Sequence, residues 1–312
     1  MIFGRATKTI RSAVAVLAML AASPASAWFD MGHMTIAAAA WTQLQPAARE
    51  KIAALLKLNP DYPAWTAGVA EERRDGIAFV HAATWADDIK RRSNYQQGSI
   101  AQAGADAAAN AGYSDHLAHP YWHYYDLPLS ADGAATAPPA APNALTQIKT
   151  FAAALASDAP DDVKSYDLVW LEHLVGDAHQ PLHAVSRFSR GWPQGDRGGN
   201  AEKICRALTC GLKLHAFWDS ALGDRGNAED AIAAAAALAP PNPARAAMDD
   251  PAVWFDESAA LARESVYTPA VGDGAGPFTL DQDYQDQAAR IARVQAAVAG
   301  ARLARLLNAA FR

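Results

Sequence analysis

The pattern of apolar and polar residues along the chain is mostly that of helices. Alanine is abundant and runs of β-branched residues are scarce, which favours α-helix over strand. The predicted helices span 31–44, 47–58, 75–91, 143–157, 164–179, 214–224, 228–238, 250–266 and 279–309, the last broken near Gly300. Segments rich in Gly, Ala, Ser and Pro predict loops at 94–118, 127–143 and 186–199, and 200–213 predicts a short hairpin. The predicted fold class is therefore mainly α, a single-domain helical bundle with a short β-hairpin.

The N-terminal segment has the composition of a secretory signal peptide. Residues 1–11 carry three basic residues and no acid, and the apolar run 12–22 is too short to span a bilayer. The small residues Ala25-Ser26-Ala27 complete the cleavage pattern. We therefore expect a signal peptide at 1–27 and an exported domain at 28–312, periplasmic or secreted, with Trp28 as the mature N-terminus.

Charge and cysteine content narrow the possible functions. The formal net charge is −6, and removal of the three basic residues in 1–27 leaves −9. A nucleic-acid binder that relies on a basic face would carry an excess of positive charge. Either the substrate is therefore not a polyanion, or bound cations supply the positive charge. Cys205 and Cys210 are the only cysteines, and in an oxidising compartment we expect them to form a disulfide. No second apolar segment reaches membrane-spanning length, so we expect no membrane anchor.

Histidine and aspartate recur at spacings that suit a metal site. His173 and Asp177 are four residues apart on one face of a predicted helix, and His215 and Asp219 repeat that spacing. Imidazole nitrogen and carboxylate oxygen without thiolate form the ligand set of catalytic zinc. A single such pair is more often a surface ion pair, but two pairs, further histidines and a free amino group at Trp28 together indicate a metal centre.

Taken in order, these motifs resemble the zinc-dependent, single-strand-specific nucleases of fungi, plants and bacteria, the type I nuclease family. The resemblance runs from Trp28 to the last helix and is strongest at 173–183, where the sequence reads HLVGDAHQPLH. Shorter matches are Gly32-His33, 85–87, 123–126, Gly198-Gly199-Asn200, 214–219 and 301–308. The resemblance implies a zinc-dependent nuclease and phospholipase C-like fold. The sequence has no Asn-x-Ser/Thr glycosylation acceptor, which together with the signal peptide indicates a bacterial member.

Carried over residue by residue, the resemblance implies three zinc ions. The first would bind Asp87, His123, His173 and Asp177; the second the amino nitrogen and carbonyl oxygen of Trp28, with His33 and Asp177; and the third His183, His215 and Asp219. Asp177 would therefore bridge the first two ions. Asp87 and Lys90 are implied catalytic residues, with Lys90 stabilising transition-state charge. Tyr124, Asp126 and Asn200 are implied substrate-binding residues.

The activity implied by the resemblance is hydrolysis of single-stranded DNA and RNA to 5′-phosphate products, with 3′-nucleotidase activity. Stacking of a base on Tyr124 requires an unstacked base, which explains a single-strand preference. We expect a monomer with nucleic acid and nucleotides as substrates and no stable protein partner. A bacterial zinc-dependent phospholipase C is the alternative, kept open by Phe188 and Trp192 in the long loop 184–197. A non-enzymatic helical metal-binding protein is the third interpretation.

Overall fold

The computed structural model describes residues 28–96, 102, 104, 107–130 and 132–312, so the predicted signal peptide lies outside the described residues. In this part of the chain the α-helices are α1 (Asp30–Trp41), α2 (Pro46–Leu56), α3 (Tyr62–Trp65), α4 (Arg74–Ala82), α5 (Trp85–Asp88), α6 (Ala144–Leu155), α7 (Asp161–Asp177), α8 (Leu214–Asp219), α9 (Ala228–Ala236), α10 (Pro243–Ala246), α11 (Pro251–Leu261) and α12 (Gln282–Ala310). The mainly α fold class is confirmed, and α3 and α10 are short helices that the sequence pattern missed.

Helix α7 lies at the centre of the molecule. Every residue from Ser165 to Asp177 is buried, and α1, α2, α5, α6 and α12 pack around this helix. The Trp170 ring meets the rings of Trp85 and Trp122 edge-on, with centroid separations of 6.4 and 4.9 Å. Because buried aromatic side chains each remove a large apolar area from water, this packing fixes α7 firmly. The histidine and aspartate at its C-terminal end therefore sit on a rigid support.

The predicted break in the last helix near Gly300 is wrong, since α12 is continuous from Gln282 to Ala310. Glycine serves another purpose at this position. A Cβ atom on Gly300 would lie 2.8 Å from the Cβ of Ala39 and 3.2 Å from the carbonyl oxygen of Ile36. The missing side chain thus allows α12 to pack closely against α1, and the packing outweighs the low helix propensity of glycine.

Three other predicted helices are not regular α-helices over their whole length. The segment 75–91 divides into α4, α5 and a 3₁₀ turn at Ile89–Arg91. At the division, the Thr84 hydroxyl donates to the carbonyl of His81, which competes with the regular helical pattern. The segment 214–224 ends as a 3₁₀ turn at Ser220–Leu222, and 250–266 ends as a π-helical turn at Ala262–Val266.

Among the described residues, five short strands form two small sheets. Strand β1 (Leu127–Ser130) pairs in parallel with β2 (Val185–Phe188), whereas β3 (Lys203–Arg206) pairs with β4 (Thr209–Lys213) and with β5 (Phe278–Leu280). The antiparallel β3–β4 pair confirms the predicted hairpin, and the predicted disulfide joins its strands. The loops predicted at 127–143 and 186–199 are wrong at their first residues, which belong to β1 and β2. In the described chain, none of the helices has the length and apolar character needed to cross a membrane.

Candidate metal centre

Helices α1, α5 and α7 and the 3₁₀ turn Pro120–His123 bring five predicted ligands into one buried region. His33 Nε2 lies 3.4 Å from Asp177 Oδ1, and their helices cross so that the His33 and His173 rings stack with centroids 3.9 Å apart. His123 Nδ1 lies 3.1 Å from Asp177 Oδ2. His173 Nε2 lies 3.7 Å from Asp87 Oδ1. Donor atoms from four chain segments therefore converge on the end of α7.

These side chains form two adjoining groups that could each hold a metal ion. One group comprises His33, His173 and Asp177, the other Asp87, His123 and His173, and the ligand atoms of each group lie within 4.8 Å of one another. Asp177 directs Oδ1 toward His33 and Oδ2 toward His123. The two oxygens of this carboxylate thus face histidines of different groups. Such a carboxylate is suitably placed to lie between two metal ions.

A third group is formed by His183, which ends the turn Pro181–His183, with His215 and Asp219 on α8. The Nε2 atoms of His183 and His215 face each other at 3.1 Å, and Asp219 Oδ2 lies 3.6 Å from His215 Nε2. His183 Nδ1 is also 3.9 Å from Asp177 Oδ1. The third group thus borders the first two, and all three lie in one continuous buried cluster.

Backbone carbonyls hold three of the imidazoles in position. His173 Nδ1 lies 2.8 Å from the Ala83 carbonyl, and His183 Nδ1 lies 2.6 Å from that of His123. His215 Nδ1 lies 2.6 Å from the carbonyl of Gly198. Because a carbonyl oxygen only accepts, each Nδ1 must carry the proton and donate. That tautomer leaves Nε2 with a lone pair for a metal, the usual arrangement of a metal-binding histidine.

Several buried nitrogen and oxygen atoms that could bind a metal have no hydrogen-bond partner among the described residues. They are both ring nitrogens of His33, Nε2 of His123, Oδ1 of Asp177 and Oδ2 of Asp219. Each unpaired buried polar group costs about 1–3 kcal/mol, a cost that a coordinated cation removes. Burial lowers the pKa of His33 and lowers that of His123 to about 3, so both are neutral, the form that binds metals. Nitrogen and oxygen donors without thiolate fit zinc.

Trp28 lies against this cluster. Its side chain is fully buried, and its indole Nε1 donates to the carbonyl of Gly176 on α7 at 3.0 Å. The next residue, Phe29, donates its backbone N–H to the carbonyl of Asp219 at 3.0 Å. These two bonds fix the main chain of Trp28 between helices that carry ligands of different groups. Its service as a ligand through its own amino nitrogen stays a prediction.

Lys90 is buried beside the second group. Its Nζ donates to Asp87 Oδ1 at 2.6 Å, and both side chains are almost completely inaccessible to solvent. Burial alone would raise the pKa of Asp87, but Lys90 and the neighbouring histidines hold this pKa below its ordinary value. Asp87 is therefore ionised, and Lys90 places a positive charge next to the candidate ligands.

The three predicted substrate-binding residues lie on two segments of the chain. Tyr124 and Asp126 follow the ligand His123 and are both partly buried, and burial followed by the charge of Asp196 raises the pKa of Asp126 to about 7. The Asn200 side chain donates to the Arg197 carbonyl at 2.9 Å. In the described structure no hydrogen bond joins Asn200 to Tyr124 or Asp126. The structure therefore brings Tyr124 and Asp126 near the centre but does not link Asn200 to them.

The sequence patterns missed the residues that support the third group. Gln180 donates from Nε2 to Asp219 Oδ1 at 2.7 Å, which directs the other carboxylate oxygen of Asp219 toward the histidines. The position of Gln180 between Asp177 and His183, beside Pro181, was the only signal in the sequence. Glutamine at such a position has many structural roles, so the pattern alone could not identify this one.

A buried polar network supports the Gly198 carbonyl that orients His215. The guanidinium of Arg187 donates to Glu202 Oε1 at 2.7 Å, and its backbone N–H donates to Asp196 Oδ1 at 2.7 Å. The Tyr267 hydroxyl donates to the other oxygen of Asp196. The network fixes both ends of the turn that contains Gly198. Its members are spread over three segments, so their association could not be read from spacing.

Buried groups of imidazole and carboxylate donors on a helical scaffold define a metal-dependent protein of mainly α class. The profile of the S1/P1 Nuclease family matches residues 28–312, and the chain belongs to this family. The resemblance found from the sequence motifs is thereby confirmed. S1/P1 nucleases are zinc-dependent hydrolases that act on phosphodiester bonds, so the substrate class is nucleic acid. A comparison with curated proteins gave no match. The Cys205–Cys210 disulfide fits an extracellular protein.

Proposed function

We propose that the protein is an exported endonuclease that hydrolyses single-stranded DNA and RNA to 5′-phosphate products and also removes the phosphate of 3′-nucleotides. The observation that carries the proposal is the convergence of three donor groups, two of which share His173 and meet at Asp177. The active form would be the domain 28–312 after removal of 1–27, located in the periplasm or the medium.

The proposal assigns three zinc ions to these groups. The first pair would be held by Asp87, His123, His173, Asp177, His33 and the amino nitrogen and carbonyl oxygen of Trp28, and the third ion by His183, His215 and Asp219. When bound, zinc polarises a phosphate oxygen and makes water a nucleophile near neutral pH. Three divalent cations would also offset the acidic charge of the protein where the polyanionic substrate has to bind.

In this proposal Lys90 contributes to catalysis directly. Its ammonium group is buried 2.6 Å from Asp87 Oδ1, so it cannot swing away into solvent. A fixed positive charge in a water-poor site stabilises negative charge that develops on the phosphate in the transition state. Asp87 holds Lys90 in this position while it supplies a ligand oxygen. Lys90→Ala is expected to lower kcat strongly with little change in zinc content.

Tyr124 and Asp126 would hold a base next to the metal centre. Tyr124 offers a partly exposed ring for stacking, and an ionised Asp126 accepts from the N–H groups of a base. Because the pKa of Asp126 is raised to about 7, base binding should strengthen as the pH rises through 7. The measurement is KM for a mononucleotide between pH 5.5 and 8.5. Asp126→Asn should flatten this pH profile, whereas an unchanged profile would remove Asp126 from the base site.

The proposed activity is tested by offering several substrates to one zinc-loaded preparation. The full-length chain would be produced in a bacterial host and purified after export. Denatured DNA, RNA, a 3′-mononucleotide and phosphatidylcholine would then be compared at equal protein concentration. We expect hydrolysis of the first three, with 5′-phosphate ends on the oligonucleotide products. Cleavage of phosphatidylcholine alone would replace the nuclease with the phospholipase C alternative, and no turnover of any substrate would favour the non-enzymatic interpretation.

Phe188 is buried, which argues against its use as a membrane-docking side chain.

A further inference from the structure

A cleft of about 370 Å³ opens beside the metal centre, and none of the predicted substrate-binding residues lines it. Its lining residues are Phe29, Asp30, Asp87, Arg91, Asp224 and Arg225. Asp87 is a candidate ligand, so the cleft reaches the second donor group. Phe29 is bonded through its backbone N–H to the carbonyl of Asp219, which belongs to the third group. The cleft is therefore lined by a candidate ligand of the second group, and its Phe29 is hydrogen-bonded to a residue of the third.

Two cations and one aromatic ring give this cleft the chemistry of a nucleotide site. Arg91 and Arg225 are exposed, and Arg225 makes no hydrogen bond or ion pair with any described residue. Arg91 forms a surface ion pair with Asp88 at 2.5 Å, an interaction weak enough to be exchanged for a phosphate. Phe29 is partly exposed at the same place, and an aromatic face of this kind stacks on any base.

The carboxylates of the cleft limit what can bind there. Asp30 and Asp224 are exposed and balance the charges of Arg91 and Arg225, and the third carboxylate of the lining, Asp87, is paired with Lys90. A cleft without net positive charge does not attract a long polyanion by electrostatics alone. The cleft has room for one nucleotide unit of a strand, whose phosphate pairs with the guanidinium groups, whose base stacks on the ring, and whose base N–H groups donate to the carboxylates.

We propose that this cleft is a second nucleotide subsite, which rests on the proposed nuclease function. With one nucleotide at Tyr124 and the scissile phosphate at the metal centre, the strand continues beyond that phosphate into the cleft. Phe29 then stacks on the following base, and Arg225, assisted by Arg91, contacts the following phosphate. The cleft makes the enzyme favour a strand over a single nucleotide.

Substrates with and without the nucleotide that follows the scissile phosphate distinguish binding in the cleft from hydrolysis at the metal centre. A 3′-mononucleotide ends at the phosphate and cannot reach the cleft, whereas a trinucleotide can. Phe29→Ala and Arg225→Ala should each lower kcat/KM for the trinucleotide by about tenfold, because one base stack or one charged phosphate contact is lost. The rate with the 3′-mononucleotide, or with bis(4-nitrophenyl) phosphate if nucleotidase activity is absent, should stay within about twofold. Phe29→Tyr and Arg225→Lys should recover most of the trinucleotide activity.

Controls distinguish the possible outcomes. Arg293→Ala removes an exposed arginine of α12 that does not line the cleft, so it should affect neither substrate. Zinc content is measured for each variant because Phe29 adjoins Trp28; if Phe29→Ala loses zinc, Arg225→Ala alone decides. Equal losses with both substrates at full zinc content, or no loss with either, would overturn the subsite. A wild-type protein that hydrolyses neither substrate would overturn the proposed function and the subsite with it.

Discussion

Replacement of Gly176 by alanine should disrupt metal binding without disrupting the helix. Gly176 lies on α7 between His173 and Asp177, and the His33 ring occupies the space where its side chain would be. A Cβ atom there would lie 2.6 Å from Nδ1 and 2.9 Å from Cε1 of His33. The His33 ring would therefore have to move, and with it the only ligand that α1 supplies to the cluster.

The size of the displacement decides the outcome. Relief of a 2.6 Å contact to ordinary van der Waals separation requires a shift of about 0.8–1 Å. Metal–ligand distances tolerate only about 0.2 Å, so His33 could not follow this shift and stay a ligand. Alanine gains up to about 1 kcal/mol over glycine in a helix, whereas overpacking of a core costs about 1–3 kcal/mol. The two terms leave a net cost of about 0–2 kcal/mol, so the metal-free protein should stay folded while one metal site is lost.

The assay for Gly176→Ala measures zinc and stability separately. Zinc content is followed by elemental analysis after dialysis against graded chelator concentrations, and unfolding of the metal-free protein is followed by circular dichroism. We expect one ion to be held at least tenfold more weakly, with loss of nuclease activity. Gly191→Ala is the matched control, because its new methyl group would meet nothing closer than 3.6 Å. Full zinc occupancy in Gly176→Ala at chelator concentrations where wild type retains zinc would refute the reasoning.

Three further predictions concern the same cluster and its support. One extra residue before Trp28 converts the amino group of Trp28 into an amide. Protein with this extra residue should therefore contain one zinc ion fewer than protein that begins at Trp28. Equal zinc content in the two preparations would exclude the terminus as a ligand. Asp177→Ala should lose two zinc ions, because Asp177 is assigned to two of them, and His215→Ala should lose only the third. Elemental analysis of the two variants measures both losses. Burial raises the pKa of Asp167 from 3.8 to about 7, although a hydrogen bond from Asn110 acts to lower this pKa. Because the folded-state pKa of Asp167 exceeds its unfolded value, the free energy of unfolding should fall as the pH rises from 4 to 7, by up to about 1.4 kcal/mol per pH unit. Urea unfolding of Asp167→Asn over the same pH range should show a smaller fall.

The sequence predicted the parts of the fold that depend on local pattern. The long helices and the β3–β4 hairpin follow from composition and from turn residues between short apolar stretches. Strands β1 and β2 were missed because each is four residues long and its partner lies far away in the chain. The break expected at Gly300 was wrong for a related reason, since helix propensity is local but the close approach of α1 is not.

The candidate centre shows the same division between side-chain chemistry and backbone position. Residue type and the i, i+4 spacing indicated two pairs, His173 with Asp177 and His215 with Asp219, because imidazole and carboxylate bind zinc and this spacing places them on one face. The resemblance to the nuclease family implied the other donors. The groups that orient those donors are carbonyl oxygens of Ala83, His123 and Gly198, and any residue possesses one. Their positions come from the early end of α4, the 3₁₀ turn at Pro120–His123 and the turn fixed by the Arg187 network. A substitution in those segments can therefore abolish metal binding without touching a ligand, and Gly198→Ala is such a case: φ there is +61° and a Cβ would lie 2.3 Å from the Leu182 carbonyl oxygen.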